Sequence, residues 1–170
     1  MLLAAHALGH FGDMSRRLYL YDTFDGMPEP CDLDLRYDGK PASPTWEHFR
    51  ALGQRWCFGG TQDHVRNVLS TAGYPEDKFV FVKGMVEDTL PDTRPDTIAI
   101  LRLETDLYSS TLHELVHLYP RLSVGGILII DDYGLFLGAR KATDQYFAEL
   151  QVPVFLSRIN ESVRLLVKPA

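Results

Sequence analysis

The fold is decided by the stretch Thr97-Ile-Ala-Ile-Leu-Arg-Leu-Glu-Thr-Asp106 together with its counterpart Gly126-Ile-Leu-Ile-Ile-Asp-Asp132. Each is a short apolar run followed by acidic residues, which is typical of a buried strand of a parallel sheet. Between them, Leu112, Leu115, Val116 and Tyr119 recur at helical spacing, and Pro120 ends the pattern. Strand, helix and strand in this order predict a parallel βαβ unit.

The rest of the chain repeats this alternation. Apolar runs predict further strands at 18–21, 79–82, 154–156 and 163–167, and helices are predicted near 1–8, 46–52, 61–69 and 139–150. The helix near the amino terminus is expected to be a core helix, and Thr61 is expected to cap the third one. The last two strands are close enough for an antiparallel hairpin. These patterns predict an α/β fold with a mainly parallel, Rossmann-like sheet, covered on both faces, and an antiparallel C-terminal strand pair.

Composition limits the possible classes of protein. The chain has 170 residues, 45% of them hydrophobic, a net charge of −6 and two cysteines. This predicts one domain over residues 1–170 and excludes a disordered chain or a disulfide scaffold. The acidic balance argues against a nucleic-acid partner. Gly9, His10 and Asp13 interrupt the first apolar run, so we expect no membrane span and a cytoplasmic location.

Acidic residues follow most of the predicted strands. They are Asp22 after the first strand, Glu87 and Asp88 after the second, Glu104 and Asp106 after the third, and Asp131 and Asp132 after the fourth. One such residue is commonly a helix cap, but parallel strands bring their carboxyl ends to one edge of the sheet. Clustered carboxylates repel one another unless a cation lies among them. The pattern therefore predicts a divalent cation with oxygen ligands.

Two other patterns suggest different chemistry. His113-Glu-Leu-Val-His117 is a literal H-E-x-x-H, which on a helix places two imidazoles one turn apart, as in zinc proteases. The metzincin continuation is absent, because Pro120 and Ser123 stand where glycine and histidine are needed. Glu104-Thr-Asp106 is similar to the acidic pair of metal-dependent glycosyltransferases. Both remain alternatives at this point.

Four longer blocks carry a family resemblance. They are Tyr21-Asp-Thr-Phe-Asp-Gly-Met-Pro-Glu-Pro30, Phe81-Val-Lys-Gly-Met-Val-Glu-Asp-Thr-Leu-Pro91, Leu101-Arg-Leu-Glu-Thr-Asp-Leu-Tyr-Ser-Ser-Thr111 and Leu118-Tyr-Pro-Arg-Leu-Ser-Val-Gly-Gly-Ile-Leu-Ile-Ile-Asp-Asp-Tyr133. In order and spacing, the blocks resemble the macrocin O-methyltransferase family, which also contains the mycinamicin and novobiocin sugar methyltransferases. The likeness runs from about Leu3 to Lys168.

The resemblance implies an S-adenosylmethionine- and Mg²⁺-dependent O-methyltransferase that acts on a hydroxyl of a sugar or other small natural product, with a homo-oligomer possible. It implies that Asp22 holds the cofactor ribose and that Asp88 lies near the adenine, with Thr23, Phe24, Gly84 and Val86 completing the cofactor site. The metal ligands it implies are Glu104, Asp131 and Asp132. Asp106 is implied as the general base or as a fourth metal neighbour.

The chain departs from the family pattern in two places. The family usually has aspartate where this chain has Glu104. Met1 aligns with the middle of the helix that follows the family's glycine-rich cofactor loop. We therefore expect the family's first strand and that loop to be missing from this chain, which leaves open a non-catalytic remnant or interaction module of the same fold.

Overall fold

The computed structural model describes residues 1–170, which fall into two compact units. Unit 1 comprises residues 1–27 and 55–85, and unit 2 comprises residues 28–54 and 86–170. In chain order the elements are α1 (Leu2–His10), β1 (Leu18–Asp22), α2 (Ser43–Ala51), α3 (Gln62–Ser70), β2 (Phe79–Lys83), α4 (Val86–Thr89), β3 (Ile98–Leu103), α5 (Tyr108–Leu118), β4 (Leu122–Ile130), α6 (Leu137–Leu150), β5 (Ser157–Arg158) and β6 (Arg164–Val167).

Unit 1 is built on a parallel strand pair. Strands β1 and β2 pair from Leu18 opposite Phe79 to Asp22 opposite Lys83. Helices α1 and α3 contribute Ala5 and Leu69 to the same buried cluster. Thr61 caps α3, because its hydroxyl accepts a hydrogen bond from a backbone N–H in the first turn, as predicted.

Helix α1 forms where it was predicted, but it is not a core helix. Ala5 is its one buried residue, and Leu3 is 81% exposed. Leu2 and Leu8 pack against the unit 1 cluster from one side. The apolar residues of α1 lie all round the helix, whereas a single flank of it is covered, so the expectation of a core helix is wrong.

Unit 2 is built on a four-stranded sheet in the order β3-β4-β6-β5. Strands β3 and β4 are parallel, and β6 is antiparallel to both β4 and β5, which confirms the predicted mixture. Leu101, Leu128 and Leu166 form one cross-strand row and are all buried. Helix α5 packs against β3 and α6. On the opposite face Ile100 and Val167 are 64% and 58% exposed. This part of the sheet is therefore covered on one face only, although coverage on both faces was predicted.

The C-terminal hairpin lies slightly later than predicted. The run 154–156 is outside the strands, Phe155 is 83% exposed, and β5 consists of Ser157 and Arg158. The Asn160 side chain accepts hydrogen bonds from the N–H groups of Ser162 and Val163, which closes the turn. Since this turn sets the register, pairing begins beside it rather than at the apolar run.

A buried aspartate of residues 28–54 caps the helix that follows β3. Asp34 is 1% exposed, and its Oδ1 accepts the N–H of Tyr108, the first residue of α5, at 2.7 Å. Its Oδ2 accepts the N–H of Cys31 at 2.7 Å. A Cβ on Gly138 of α6 would lie 2.4 Å from Asp34 Oδ1, so glycine leaves room for this carboxylate. Asp34 therefore joins the start of α5 to its own loop.

A second buried carboxyl group lies on α5 itself. Glu114 is 5% exposed, and its Oε2 accepts a hydrogen bond from the Thr105 hydroxyl at 2.8 Å. Burial, with a smaller contribution from the nearby charge of Glu87, raises the pKa of Glu114 to about 8. None of the helices is long and apolar enough to cross a membrane.

Replacing Asp34 with alanine leaves the Tyr108 and Cys31 N–H groups without their acceptor. We expect the free energy of unfolding of D34A to fall by about 2–3 kcal/mol, measured by urea unfolding. The matched control is D38A, which removes an exposed carboxylate of the same loop that pairs with Lys40. An equal loss in both variants would contradict the capping role.

The raised pKa of Glu114 makes stability depend on pH. The folded chain retains this proton up to about pH 8, whereas the unfolded chain releases it near pH 4. The contribution of Glu114 to stability is therefore present at low pH and is lost as pH rises toward 8. We expect E114Q to show a smaller fall in the free energy of unfolding between pH 5 and pH 8 than the wild type. Exposed E76Q should keep the wild-type slope.

Candidate functional site

The turn after β3 and the end of β4 bring four carboxylates to one edge of the unit 2 sheet. Leu103 pairs with Ile130 in the parallel register, and the Asp131 N–H donates to the Leu103 carbonyl at 3.1 Å. This places Glu104 beside Asp131, because each follows its strand directly. Parallel strands have this property in general, and it is why ligands bind at the carboxyl edge.

The turn itself has an unusual backbone conformation. Asp106 has a φ of 64°, in the left-handed region that non-glycine residues seldom occupy. The Leu107 N–H donates to the Thr105 carbonyl at 2.6 Å across it. This conformation directs the chain from β3 into α5 within a few residues. Residues held in this way cluster at functional sites.

The carboxylates interact strongly with one another. The carboxyl groups of Glu104 and Asp131 lie close enough to interact, and so do those of Asp106 and Asp132. Burial, followed by the contact with Asp131, raises the pKa of Glu104 to about 7. Burial also raises the pKa of Asp106, and burial together with Asp106 raises that of Asp132 to about 8. The site therefore holds more negative charge than its surroundings stabilise.

One arginine supplies positive charge to this cluster. Arg102 of β3 forms ion pairs with both Glu104 and Asp131, and its side chain is 51% exposed. Asp132 is 8% exposed, and its Oδ2 is buried without a hydrogen-bond partner. No group of three or more His, Cys, Asp or Glu side chains is arranged so that it could hold a metal ion. In this arrangement Arg102 lies beside carboxylates that were predicted to hold a metal.

The H-E-x-x-H pattern does not have zinc-protease geometry. His113 and His117 lie one turn apart on α5, and the centroids of their rings are separated by 4.3 Å. Glu114 is directed into the protein, where its carboxyl group holds Thr105, so it does not lie in solvent as a base beside the imidazoles. His113 Nε2 is instead 3.3 Å from the Leu90 carbonyl. Glu114 lies on the side of α5 that faces the turn after β3, and this position buries it in the core.

Four of the predicted cofactor residues lie together at the carboxyl ends of β1 and β2 in unit 1. Asp22 is exposed, and its Oδ1 accepts the Phe24 N–H at 2.7 Å. The Thr23 hydroxyl donates to the Gly26 carbonyl at 2.8 Å. The Gly84 N–H donates to the Asp22 carbonyl at 3.0 Å. Their roles toward a cofactor stay predictions.

The other two predicted cofactor residues belong to α4 in unit 2. Val86 is 5% exposed, so its side chain is part of the core. Asp88 is exposed and can reach a ligand. Between them, Glu87 Oε1 accepts a hydrogen bond from Ser110 of α5 at 2.8 Å. The role predicted for Asp88 near the adenine is likewise still a prediction.

Several residues around the carboxylates were missed by sequence reasoning. Asp34 is 74 residues before its partner Tyr108, so no local pattern connects them. Arg102 carried a signal, because it alternates with buried leucines on a strand that ends in acidic residues. The sequence marks Glu114 only as part of the H-E-x-x-H pattern, whereas its hydrogen-bond partner lies in the turn before α5.

Comparison with known proteins gives consistent results. The sequence profile of the family described as Macrocin-O-methyltransferase (TylF) matches residues 1–165. The chain is 31% identical over 137 residues to the demethyldecarbamoylnovobiocin O-methyltransferase of Streptomyces niveus. The aligned region covers 81% of this chain and 49% of that protein. It is 35% identical over 124 residues to the 8-demethyl-8-(2,3-dimethoxy-alpha-L-rhamnosyl)-tetracenomycin-C 4'-O-methyltransferase of Streptomyces olivaceus. That alignment covers 73% of this chain and 44% of the relative.

The fold agrees with that of a solved methyltransferase. The structure of the O-methyltransferase NovP superposes with a TM-score of 0.83 and 27% sequence identity, over 99% of this chain and 66% of that one. The chain spans about half the length of the two curated relatives named above. Profile and fold agree over nearly all of its residues, and the chain belongs to the macrocin O-methyltransferase family.

Proposed function

We propose that this chain carries the carboxylate centre of an S-adenosylmethionine- and Mg²⁺-dependent O-methyltransferase that methylates a sugar hydroxyl of a natural product. The observation that carries the proposal is the convergence of Glu104, Asp106, Asp131 and Asp132 at the ends of β3 and β4. Family membership supplies the reaction class.

The donor set suits a hard divalent cation. Carboxylate oxygens are the ligands that Mg²⁺ prefers, and Glu104, Asp131 and Asp132 supply them from two adjacent strand ends. The buried Oδ2 of Asp132 has no hydrogen-bond partner, which is costly unless a cation satisfies it. Arg102 pairs with Glu104 and Asp131 in the present arrangement. Because its side chain is half exposed, it can withdraw toward solvent when a metal binds.

The reaction joins an acceptor oxygen to the methyl carbon of the sulfonium cofactor while the sulfur–methyl bond breaks. A sugar hydroxyl is a weak acid, so its proton needs a base as the new bond forms. Asp106 is the proposed base, because its carboxylate lies at the same strand edge as the proposed metal ligands, in the turn directly after Glu104. Bound Mg²⁺ would supply a Lewis acid that stabilises negative charge on the acceptor oxygen. The metal-binding carboxylates and Asp106 otherwise act by orienting the acceptor.

The cofactor proposal rests on Asp22 and its neighbours in unit 1. A carboxylate at the end of a parallel strand can accept hydrogen bonds from both ribose hydroxyls. The hydrogen bond from the Phe24 N–H to Oδ1 fixes the orientation of Asp22 and leaves further acceptor capacity on the carboxylate. Thr23 and Gly84 shape the surrounding backbone, and Asp88 on α4 is proposed to lie near the adenine.

The acceptor class is proposed from the named substrates of the relatives. One relative methylates demethyldecarbamoylnovobiocin, and the other methylates a rhamnosyl tetracenomycin at its 4' oxygen. Both names describe small natural products rather than nucleic acids or lipids. We therefore propose a small hydroxylated glycoside as the acceptor.

Removing one proposed metal ligand tests the magnesium site. In D131N, a neutral amide replaces a charged ligand, so we expect Mg²⁺ affinity by calorimetry to fall about 10–100-fold, with methyl transfer falling in parallel. The control is D92N, which changes an exposed aspartate of the same unit away from the strand ends. Wild-type Mg²⁺ binding by D131N would show that the metal is held elsewhere.

Changing Asp22 tests the cofactor site independently of the metal. The D22A variant loses a charged acceptor for two hydroxyl groups, and we expect S-adenosylmethionine to bind about 10–100-fold more weakly by calorimetry. D77A, which alters an exposed aspartate in the same unit, should bind normally. If the wild-type chain takes up no S-adenosylmethionine at millimolar concentration, the chain behaves as the non-catalytic remnant instead.

A further inference from the structure

Glu114 is a buried carboxyl group that the proposed chemistry does not use directly. It lies on α5 with 5% exposure, and its Oε2 accepts the Thr105 hydroxyl at 2.8 Å. Burying a carboxyl group is costly, so its retention in the core calls for a specific partner. Thr105 is that partner, and it lies between Glu104 and Asp106 in the chain.

Thr105 is the central residue of the turn that presents two of the four carboxylates. Its carbonyl accepts the Leu107 N–H at 2.6 Å, and its hydroxyl donates to Glu114. The Thr105 side chain is therefore bonded to α5, and its backbone carbonyl is bonded across Asp106 to Leu107. Thr105 thus joins the turn to α5, and Asp34 caps the first residue of that helix, Tyr108.

The turn needs such support for two physical reasons. Asp106 has a φ of 64°, which costs about 1–2 kcal/mol for a residue with a Cβ and persists only where neighbours hold it. In addition, the contacts of Glu104 with Asp131 and of Asp106 with Asp132 bring like charges together, which drives the carboxylates apart. A hydrogen bond from Thr105 to α5 opposes both tendencies.

The groups around Glu114 belong to unit 2 and come from the packed elements α4 and α5. Glu87 of α4 lies close enough to raise the pKa of Glu114, and Ser110 of α5 donates its hydroxyl to Glu87 at 2.8 Å. The buried Oε2 of Glu87 has no hydrogen-bond partner. Glu114 thus anchors the turn to a polar cluster inside the unit, not to the surface.

We infer that Glu114 is a positioning residue, which acts through Thr105 to hold Glu104 and Asp106 in the arrangement needed for metal binding and proton transfer. This inference rests on the proposed function and assigns the glutamate of the H-E-x-x-H pattern a role within the methyltransferase centre. The residue itself contacts neither the metal nor the substrate.

The test compares variants that break the Thr105–Glu114 hydrogen bond with variants that keep it. T105V replaces the hydroxyl with a methyl group of similar size, and E114M replaces the carboxyl with an apolar chain of similar length. T105S and E114Q retain a donor and an acceptor. H117Q changes another residue of α5 and serves as the control. Each protein is assayed for Mg²⁺ affinity by calorimetry, for kcat and KM, and for amide hydrogen exchange at Leu107.

In T105V and E114M we expect Mg²⁺ affinity and kcat to fall about 10–100-fold, while the KM for S-adenosylmethionine changes by less than about twofold. We expect exchange at Leu107 to accelerate about tenfold. T105S and E114Q should recover most of each loss, and H117Q should match the wild type. The double variant T105V/E114M should be no worse than the single variants, because both remove the same interaction.

Wild-type Mg²⁺ affinity, kcat and Leu107 exchange in T105V would overturn the inference, as would a loss in E114M that T105V does not share. If the wild-type chain neither binds Mg²⁺ nor transfers methyl groups, the proposed function fails instead. Leu107 exchange then still decides whether Glu114 holds the turn. Should E114M unfold, T105V with T105S as its rescue decides alone.

Discussion

The parallel pairing of β3 with β4 is the constraint on which unit 2 depends. It aligns Leu101 with Leu128, and β6 extends the buried row through Leu166. The same register ends both strands at one edge, where the Asp131 N–H donates to Leu103. The packing that stabilises the sheet and the crowding of carboxylates at its edge therefore have one cause, and neither can be changed without the other.

The crowded edge shows how this fold accommodates unfavourable charge. Burial raises the pKa of Glu104 to about 7 and that of Asp132 to about 8, so bringing these groups together costs stability near neutral pH. Arg102 offsets part of that cost, and Asp34 and Glu114 hold the adjoining turn and helix from within the core. A structure that tolerates this cost is typical of a site prepared for a ligand.

Much of this architecture was predictable because it depends on local periodicity. Strands β1 to β4 and helices α3, α5 and α6 follow apolar patterns that the chain displays directly, with ends differing by a few residues. The errors arose where a non-local contact or a turn decided the outcome. Asn160 sets the hairpin register away from the apolar run at 154–156, and α1 is covered on one flank despite its apolar composition.

The amino-acid sequence by itself determined the α/β class, the family and the identity of the acidic residues at the strand ends, because spacing and residue type are written in the chain. The sequence also predicted that Glu104, Asp106, Asp131 and Asp132 would converge, because parallel strands end at one edge of their sheet. The tertiary structure alone decided that Glu114 is directed inward to Thr105 and that Asp34 accepts from an amide 74 residues away. Such contacts depend on packing between distant segments, and no local pattern of residues encodes which distant groups will become neighbours.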